Sequence, residues 1–418
     1  MDASFPGYSA AQALRVGGAS TVRDALLAAR TRTLAHADAY AQALAPAGMR
    51  IPYDTALNPP LWELGHIAWF QEYWIARNRQ RTAGVLCDPD HERAPPLLAP
   101  ADSWYDSSRV AHRLRWELDL PSAQGVRDYL AQTLEQTLEL LDKLPSVAGD
   151  ADLYFYKLVA LHEEMHAEAS TYMARTLGIT LPAPASTPRG ASQAQLDVPA
   201  QVFPLGYEGT GFAFDNELGA HPVTLDPFRI DAAPVTWSRF MPFVESGAYA
   251  QQPWWSPEGW QWLQAHSADP DPAGAPGNAA VVHVSAHQAE AWCRWAGRRL
   301  PTEAEWECAA LTTPGFVWGD VWEWTSSAFE PYPGFAPHPY RDYSAPWFGS
   351  RRVLRGACHA TAASLAHPRY RNFFEPRRND VFAGFRSCAI GKLAKMDVIP
   401  AKAGIQGVRL LTPGAWPT

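Results

Sequence analysis

The spacing of apolar residues changes about halfway along the chain. In the first half, apolar positions recur at helical spacing among strong helix formers in four segments, 22–47, 58–78, 124–145 and 151–177. The second half has short strand-like runs and many Gly, Pro and Trp residues, with one clear helical segment at 285–297. The pattern predicts a helical first domain and a loop-rich second domain, and therefore an α+β protein.

Domain boundaries follow from the same pattern. Four helices of this length favour a four-helix bundle over residues 20–180. Residues 181–202 are rich in Pro, Ala and Ser without periodicity, which is typical of a linker. The second domain is expected over 203–392, and the remaining segment, 393–418, has no hydrophobic face and is expected to be a disordered appendage.

Composition and charge limit the possible partners. The 418 residues are 47% hydrophobic, which is enough for two cores, and the net charge is −8 with no run of like charges. These values argue against nucleic acid or an anionic membrane as a partner. The N-terminus lacks a signal-peptide pattern, and the five scattered cysteines form no CxxC pair. We therefore expect a soluble, cytoplasmic protein whose partners are neutral or zwitterionic small molecules.

The sequence HEEMH, residues 162–166, matches the H-E-x-x-H signature of zinc proteases. It places His162 and His166 one turn apart on one helix face, where both imidazoles can reach one metal ion. A zinc protease needs a third ligand downstream, and residues 169–196 contain no Asp, Glu or His, which argues against proteolysis. Two histidines on a solvated face are the structural alternative, but the preceding YFYKLVAL is apolar.

A third candidate ligand lies upstream. His66 stands in the middle of a helical stretch of Leu, Trp, Ile, Ala and Phe, so we expect it to face the bundle interior. A core histidine is often only hydrogen-bonded, but a bundle core with inward ligands on two helices is a common metal site. Three neutral imidazoles suit Zn, Fe or Cu, and composition does not choose among them.

Both halves resemble one known enzyme family. LGHIAWF and HEEMHAEA resemble the three-histidine iron site of the DinB-like domain in ergothioneine-type sulfoxide synthases. In the second half, the segments that resemble the formylglycine-generating-enzyme fold, which is C-type-lectin-like, are 281–310, 319–327, 353–365 and 383–388. The resemblance covers roughly residues 22–390 and implies a DinB-like bundle followed by a formylglycine-generating-enzyme-like domain.

The resemblance implies an iron(II)- and O₂-dependent oxidoreductase. Its metal ligands would be His66, His162 and His166, and it would join sulfur or selenium to C2 of the imidazole of hercynine, a trimethylated histidine betaine. Formylglycine-generating enzymes use a cysteine pair, whereas here Arg355-Gly356-Ala357-Cys358 is followed by no second cysteine, which argues against sulfatase activation. The remaining alternative is a non-catalytic betaine-binding module.

Site residues are implied by the resemblance position by position. Asn372 and Phe373 match residues that help hold hercynine, and Phe374 replaces an acid that contacts a γ-glutamylcysteine donor in mycobacterial-type enzymes. Met165 stands where many relatives carry a Gln that binds the hercynine imidazole. Arg109 belongs to a loop that clamps donor carboxylates in those enzymes.

The donor is inferred from the same loop, 102–121. Its Tyr-Asp-Ser-Ser run offers hydroxyls and a carboxylate, as a sugar-like donor would require. The loop and the histidine segments resemble most closely the selenoneine-forming branch, whose donor is a selenosugar, 1-seleno-glucose. The alternative is an ergothioneine-forming enzyme that uses cysteine or γ-glutamylcysteine.

Two further assignments stay open at the level of sequence. A tyrosine near iron acts as proton donor or redox partner in sulfoxide synthases, and Tyr332 and Tyr340 are the catalytic candidates; for each, a loop tyrosine packed on proline is the structural alternative. Arg377 and Arg378 either bind substrate or brace neighbouring acids.

Overall fold

The structure is a computed structural model, and it describes residues 6–182, 192–266 and 274–391. The predicted tail, 393–418, and the central part of the predicted linker lie outside the described residues.

The first half is a helical bundle, as predicted. Each helix ends within a few residues of its predicted bounds, and α3 begins at Pro60, where proline is favoured because its missing N–H needs no partner. Two helices were not predicted, one at the N-terminus and one of five residues in the 102–121 loop. The helices are α1 (Pro6–Val16), α2 (Ala19–Ala43), α3 (Pro60–Trp74), α4 (Ala101–Tyr105), α5 (Ala123–Asp142) and α6 (Asp150–Thr176).

Packing within the bundle brings α3 and α6 together. Helix α2 packs along α6, while α3 packs against both α5 and α6. Helix α3 is buried on almost every face, so the apolar pattern around its single histidine reflects a fully enclosed helix. The two helices that carry the candidate ligands therefore face each other in the core.

The second half combines short helices with small sheets, and the α+β prediction is confirmed. Capping boxes start two of its helices: Ser285 with Gln288, and Thr302 with Glu305. The helices are α7 (Trp237–Glu245), α8 (Pro257–Ala265), α9 (Ala286–Trp295) and α10 (Glu303–Thr312). The strands are β1 (Gln195–Val198), β2 (Gln201–Leu205), β3 (His221–Leu225), β4 (Phe228–Asp231), β5 (Arg298–Arg299), β6 (Trp322–Ala328), β7 (Arg352–Gly356), β8 (Asn372–Phe374), β9 (Ala383–Gly384) and β10 (Cys388–Ala389).

Three sheets organise these strands, in the orders β1-β4-β10-β5, β2-β3 and β8-β7-β6-β9. In the third sheet, Val353 pairs with Phe373 and Leu354 with Asn372, which places β8 at the sheet edge. Strands β1 and β2 occupy residues predicted as linker, so that prediction is wrong from Gln195 onward; alternation over so few residues is too short to be recognised without its partner strand.

A buried ionic cluster holds the second domain together. The fully buried Arg355 contacts Glu303 and Glu307, with N–O distances of 3.1 and 2.7 Å, and Arg371 contacts Glu303 at 3.0 Å. Tyr332 donates its hydroxyl to Glu303 at 3.0 Å. Buried charges are tolerated only when they are paired in this way.

The two domains share one continuous hydrophobic core. Polar contacts cross the same boundary: Arg15 pairs with Glu217 at 2.6 Å, and Arg32 donates to the backbone oxygen of Ala360. Within the described ranges, the structure contains no helix that combines the length and the apolar character needed to cross a bilayer.

Candidate metal centre and adjoining cavity

The bundle core brings the three predicted ligands together. Side-chain nitrogens of His66, His162 and His166 all lie within 4.8 Å of one another. The Nε2 atoms of His162 and His166 are 3.2 Å apart. Two imidazole nitrogens that each lie about 2.1 Å from one ion are separated by roughly 3.0–3.4 Å, so this spacing fits a shared metal.

Hydrogen bonds to the outer ring nitrogens orient two of the ligands. His66 Nδ1 donates to the backbone oxygen of Tyr105 at 2.7 Å, and His166 Nδ1 lies 2.6 Å from Oε2 of Glu63. Each bond leaves Nε2 as the lone-pair nitrogen that can bind a metal. The His162 ring stacks on Phe70, with centroids 3.6 Å apart and an interplanar angle of 6°.

Burial sets the charge of these groups. It lowers the pKa of His66 to about 3, and it lowers the pKa of His162 well below its usual range. Burial alone would raise the pKa of Glu63, but the neighbouring imidazoles and Asn58 lower it overall to about 2. The site therefore offers neutral imidazoles at His66 and His162, and it places an anionic carboxylate behind His166, which is the usual support for a metal-binding histidine.

The two acids of the HEEMH motif, Glu163 and Glu164, form ion pairs within the bundle. Glu163 is buried and pairs with Arg30 at 2.8 Å, and Glu164 pairs with Arg32 at 2.9 Å. Glu163 is thus committed to an ion pair, whereas a protease would require it as a general base. The geometry agrees with the sequence argument against proteolysis.

A cavity of about 230 Å³ adjoins the histidines and lies between α6 and the second domain. His166 lines it, so the cavity reaches the candidate metal centre. Four residues that the sequence suggested for substrate binding also line it, namely Met165, Asn372, Phe373 and Phe374. These residues come from the bundle and from β8, and only the docking of the two domains brings them together.

Hydroxyl and sulfur groups form a chain across this cavity. Tyr343 donates to the hydroxyl of Tyr370 at 3.0 Å, and Tyr370 donates to Sδ of Met165 at 3.4 Å. Burial raises the pKa of both phenols, so both hydroxyls keep their protons at neutral pH. Met165 thus links a cavity wall in the bundle to a phenol of the second domain.

One carboxylate lies in the same wall. Glu168 is buried and accepts hydrogen bonds from Trp322 Nε1 and from the Thr361 hydroxyl, both at 2.6 Å. Burial raises the pKa of Glu168 despite these bonds. A cation in the cavity would favour its ionised form, because opposite charges attract strongly where water is excluded.

The three remaining predicted residues lie elsewhere. Tyr340 packs near the triad, with its ring 6.2 Å from that of His162. Tyr332 is held in the ionic cluster by Glu303 and Arg355, and none of its contacts is with the triad. Arg109 is 79% exposed and pairs with Asp106 at 3.2 Å, outside the residues that line the cavity.

Sequence reasoning missed several residues of the site. Glu63 had a usable signal, because it precedes His66 by three residues and therefore shares its helix face. No local signal marks the cavity residues Glu168, Tyr343 and Tyr370, which meet only through tertiary packing.

Comparison with known proteins follows the same division into halves. Residues 25–170 match the model of the DinB superfamily. Residues 182–318 and 315–390 match the model described as the sulfatase-modifying factor enzyme 1-like domain. The predicted pairing of a DinB-like bundle with a formylglycine-generating-enzyme-like domain is confirmed.

Some relatives match this chain across both domains. The hercynine oxygenase of Mycolicibacterium smegmatis is 32% identical to this chain, over 88% of this chain and 98% of that protein. This chain belongs to the hercynine oxygenase family. A second member, from Mycobacterium tuberculosis, is 32% identical over 86% of this chain and 96% of that protein. Membership in the hercynine oxygenase family makes the chain an oxidoreductase.

The second domain alone has a further relative. The formylglycine-generating enzyme of Streptomyces coelicolor is 31% identical, over 50% of this chain and 92% of that protein. In this member of the hercynine oxygenase family, all five cysteines are free and buried, and burial raises the pKa of Cys358 well above its usual range. A buried, protonated thiol is a poor nucleophile, in agreement with the sequence argument against sulfatase activation.

Proposed function

We propose that this chain is an iron(II)- and O₂-dependent enzyme that joins the selenium of a selenosugar, 1-seleno-glucose, to C2 of the hercynine imidazole, leading to selenoneine. One observation carries the proposal: a single cavity is lined by His166 of the triad and by aromatic side chains of the second domain. Such a cavity would hold an aromatic betaine next to the metal.

The chain's side chains fit a bound metal. Three imidazoles on α3 and α6, two of them fixed by hydrogen bonds at Nδ1, leave coordination positions open for small molecules. Iron bound there would supply the activation of O₂.

The cavity suits the trimethylammonium group of hercynine. Trp322, Tyr343 and Tyr370 present aromatic faces, and Glu168 adds a carboxylate in the same wall. A quaternary ammonium cannot donate hydrogen bonds, so aromatic faces and a nearby negative charge are the groups that can bind it. Asn372 accepts from the backbone N–H of Phe373 at 2.8 Å, and its amide hydrogens can then be donated to the betaine carboxylate.

The remaining cavity groups would position the imidazole and supply protons. The sulfur of Met165 offers only a weak acceptor where a Gln would offer a donor, so the imidazole would be held mainly by packing and by the Tyr370 hydroxyl. Tyr343 and Tyr370 carry protons inside the cavity, while Tyr340 lies beside His162. These placements favour Tyr340 over Tyr332 as the catalytic tyrosine.

The second candidate function is ergothioneine formation with cysteine or γ-glutamylcysteine as donor. Membership in the hercynine oxygenase family favours chemistry on hercynine but does not decide between the two chalcogens. Phe374 in the cavity wall favours the selenosugar, because its ring lacks the negative charge and the acceptor oxygens with which a carboxylate would bind the ammonium group of a γ-glutamyl donor.

The test is reconstitution of the purified full chain with Fe(II), followed by hercynine, O₂ and each donor separately. Selenoneine formation from 1-seleno-glucose, detected by mass spectrometry, is the expected result. His66→Ala should abolish iron binding and turnover, whereas His91→Ala, outside the triad and the cavity, should leave both intact. Binding of hercynine without turnover of any donor would instead establish a betaine-binding module.

A further inference from the structure

A second cavity lies directly outside the first. It has a volume of about 370 Å³ and is lined by Thr55 and Ala56 of the bundle domain, by Trp262 and His266 at the end of α8, and by the segment that follows β8. Phe374 lines both cavities. One aromatic ring therefore forms a wall shared by the inner cavity at the triad and this outer cavity.

The ion pair of Arg378 and Asp380 lies next to this shared wall. The Arg378 guanidinium lies 5.3 Å from the ring centroid of Phe374 and 5.9 Å from that of Tyr172. Arg378 contacts both carboxylate oxygens of Asp380, at 2.5 and 2.6 Å. Because these two charges satisfy each other, they fix the position of the wall and leave recognition to the groups around them.

Arg377 is the arginine of the outer cavity with donor groups available to a ligand. Its Nε donates to Glu375 at 2.5 Å, and its side chain is 60% exposed. Within residues 6–182, 192–266 and 274–391, no acceptor is assigned to its two Nη groups. Glu375 is also paired with Arg351 at 3.1 Å, which leaves the Nη hydrogens of Arg377 as donors for a ligand.

Another part of the lining comes from the end of α8, where the His266 ring is exposed and the Trp262 ring beneath it is buried. The rings of Trp262 and His266 stack with centroids 5.7 Å apart. His266 Nδ1 donates to the backbone oxygen of Trp262 at 2.8 Å, which leaves Nε2 as the ring nitrogen that a ligand hydroxyl can reach. An aromatic face with both donors and acceptors at its rim matches a sugar ring, which has apolar C–H faces and hydroxyls that both donate and accept.

We propose that the outer cavity binds the polyhydroxylated part of the chalcogen donor, a monosaccharide ring, with Arg377 as a hydrogen-bond donor to its hydroxyls, and that the chalcogen atom passes Phe374 into the inner cavity. This inference rests on the proposed function and adds the site of donor recognition.

Binding of a sugar that cannot react tests the site directly. Methyl 1-thio-β-D-glucopyranoside would be titrated into the full chain by calorimetry and by saturation-transfer NMR. Arg377→Ala should weaken binding by about tenfold, since a charge-assisted hydrogen bond is lost. The matched control is Arg229→Ala, which removes another exposed, ion-paired arginine on β4 and should leave binding unchanged. Equal affinity of Arg377→Ala and the wild type, or no binding to either, would overturn the inference.

Turnover assays distinguish a failure of the proposed sugar site from a failure of the proposed reaction. If cysteine or γ-glutamylcysteine supports turnover and the thioglucoside does not bind, the donor site is overturned while hercynine chemistry stands. If the thioglucoside binds in an Arg377-dependent way and no donor is turned over, the sugar site stands and the proposed reaction fails.

Discussion

Glu63 Oε2 lies 2.6 Å from Nδ1 of His166, although the two residues are 103 positions apart and belong to facing helices. Asn58 in turn donates to the other carboxylate oxygen of Glu63, and Asn58 Oδ1 accepts from Arg115 at 2.8 Å. The candidate ligand is thus oriented by a chain of hydrogen bonds that begins in the loop after α4.

Replacing Glu63 by Ala should weaken metal binding. Loss of the carboxylate frees the His166 ring to rotate, and removal of such a supporting group costs about 10–100-fold in metal affinity. Competition with a chromophoric chelator measures this affinity. Glu139→Ala removes an exposed acid on α5 and is the control; an unchanged affinity in Glu63→Ala would show that the contact does not support the metal.

Replacing Glu168 by Gln should weaken hercynine binding by about tenfold, because a cation in a water-excluded cavity loses its only nearby charge partner among the lining residues. Calorimetric titration of the metal-loaded protein measures the dissociation constant. The matched control is Glu164→Gln, one turn earlier on α6, where the side chain pairs with Arg32 and lines a different cavity. Similar weakening in both variants would assign the loss to a general disturbance of α6.

Replacing Arg355 by Ala should destabilise the protein by about 3–5 kcal/mol, since it leaves Glu303 and Glu307 buried without their shared cation. Urea unfolding followed by circular dichroism gives the free energy of unfolding. Arg229→Ala breaks only an exposed pair with Asp197 and should cost less than about 1 kcal/mol. Equal losses in the two variants would contradict a structural role for the cluster.

Acid should destabilise the fold partly through His338. Burial lowers the pKa of His338 to about 4, and its Nδ1 lies 3.0 Å from the Tyr154 hydroxyl. An unfolded histidine binds a proton near pH 6.5, so this contribution is complete above that pH and is lost as the pH falls toward 4. The free energy of unfolding of His338→Gln, measured over this range, should therefore fall less steeply than that of the wild type. Parallel pH profiles would show that His338 is accessible to protons in the folded state.

Local spacing explains what sequence reasoning could find. The pair His162 and His166 follows from helical periodicity alone, and His66 from the apolar stretch around it. The four bundle helices were predicted with small errors at their ends, because long periodic segments carry their own signal. The strands at 195–205 were missed, because each is short and is stabilised by a partner distant in sequence.

The sequence by itself determined the order of the two domains and the three histidines of the candidate metal centre. Tertiary structure alone decided which other residues join them: it places Met165 against Tyr370 and Glu63 behind His166, while Tyr332 is enclosed in an ion cluster. The physical reason is the separation along the chain between residues that contact each other. Helical periodicity fixes contacts between residues three or four apart, whereas contacts between the domains depend on the packing of one continuous core.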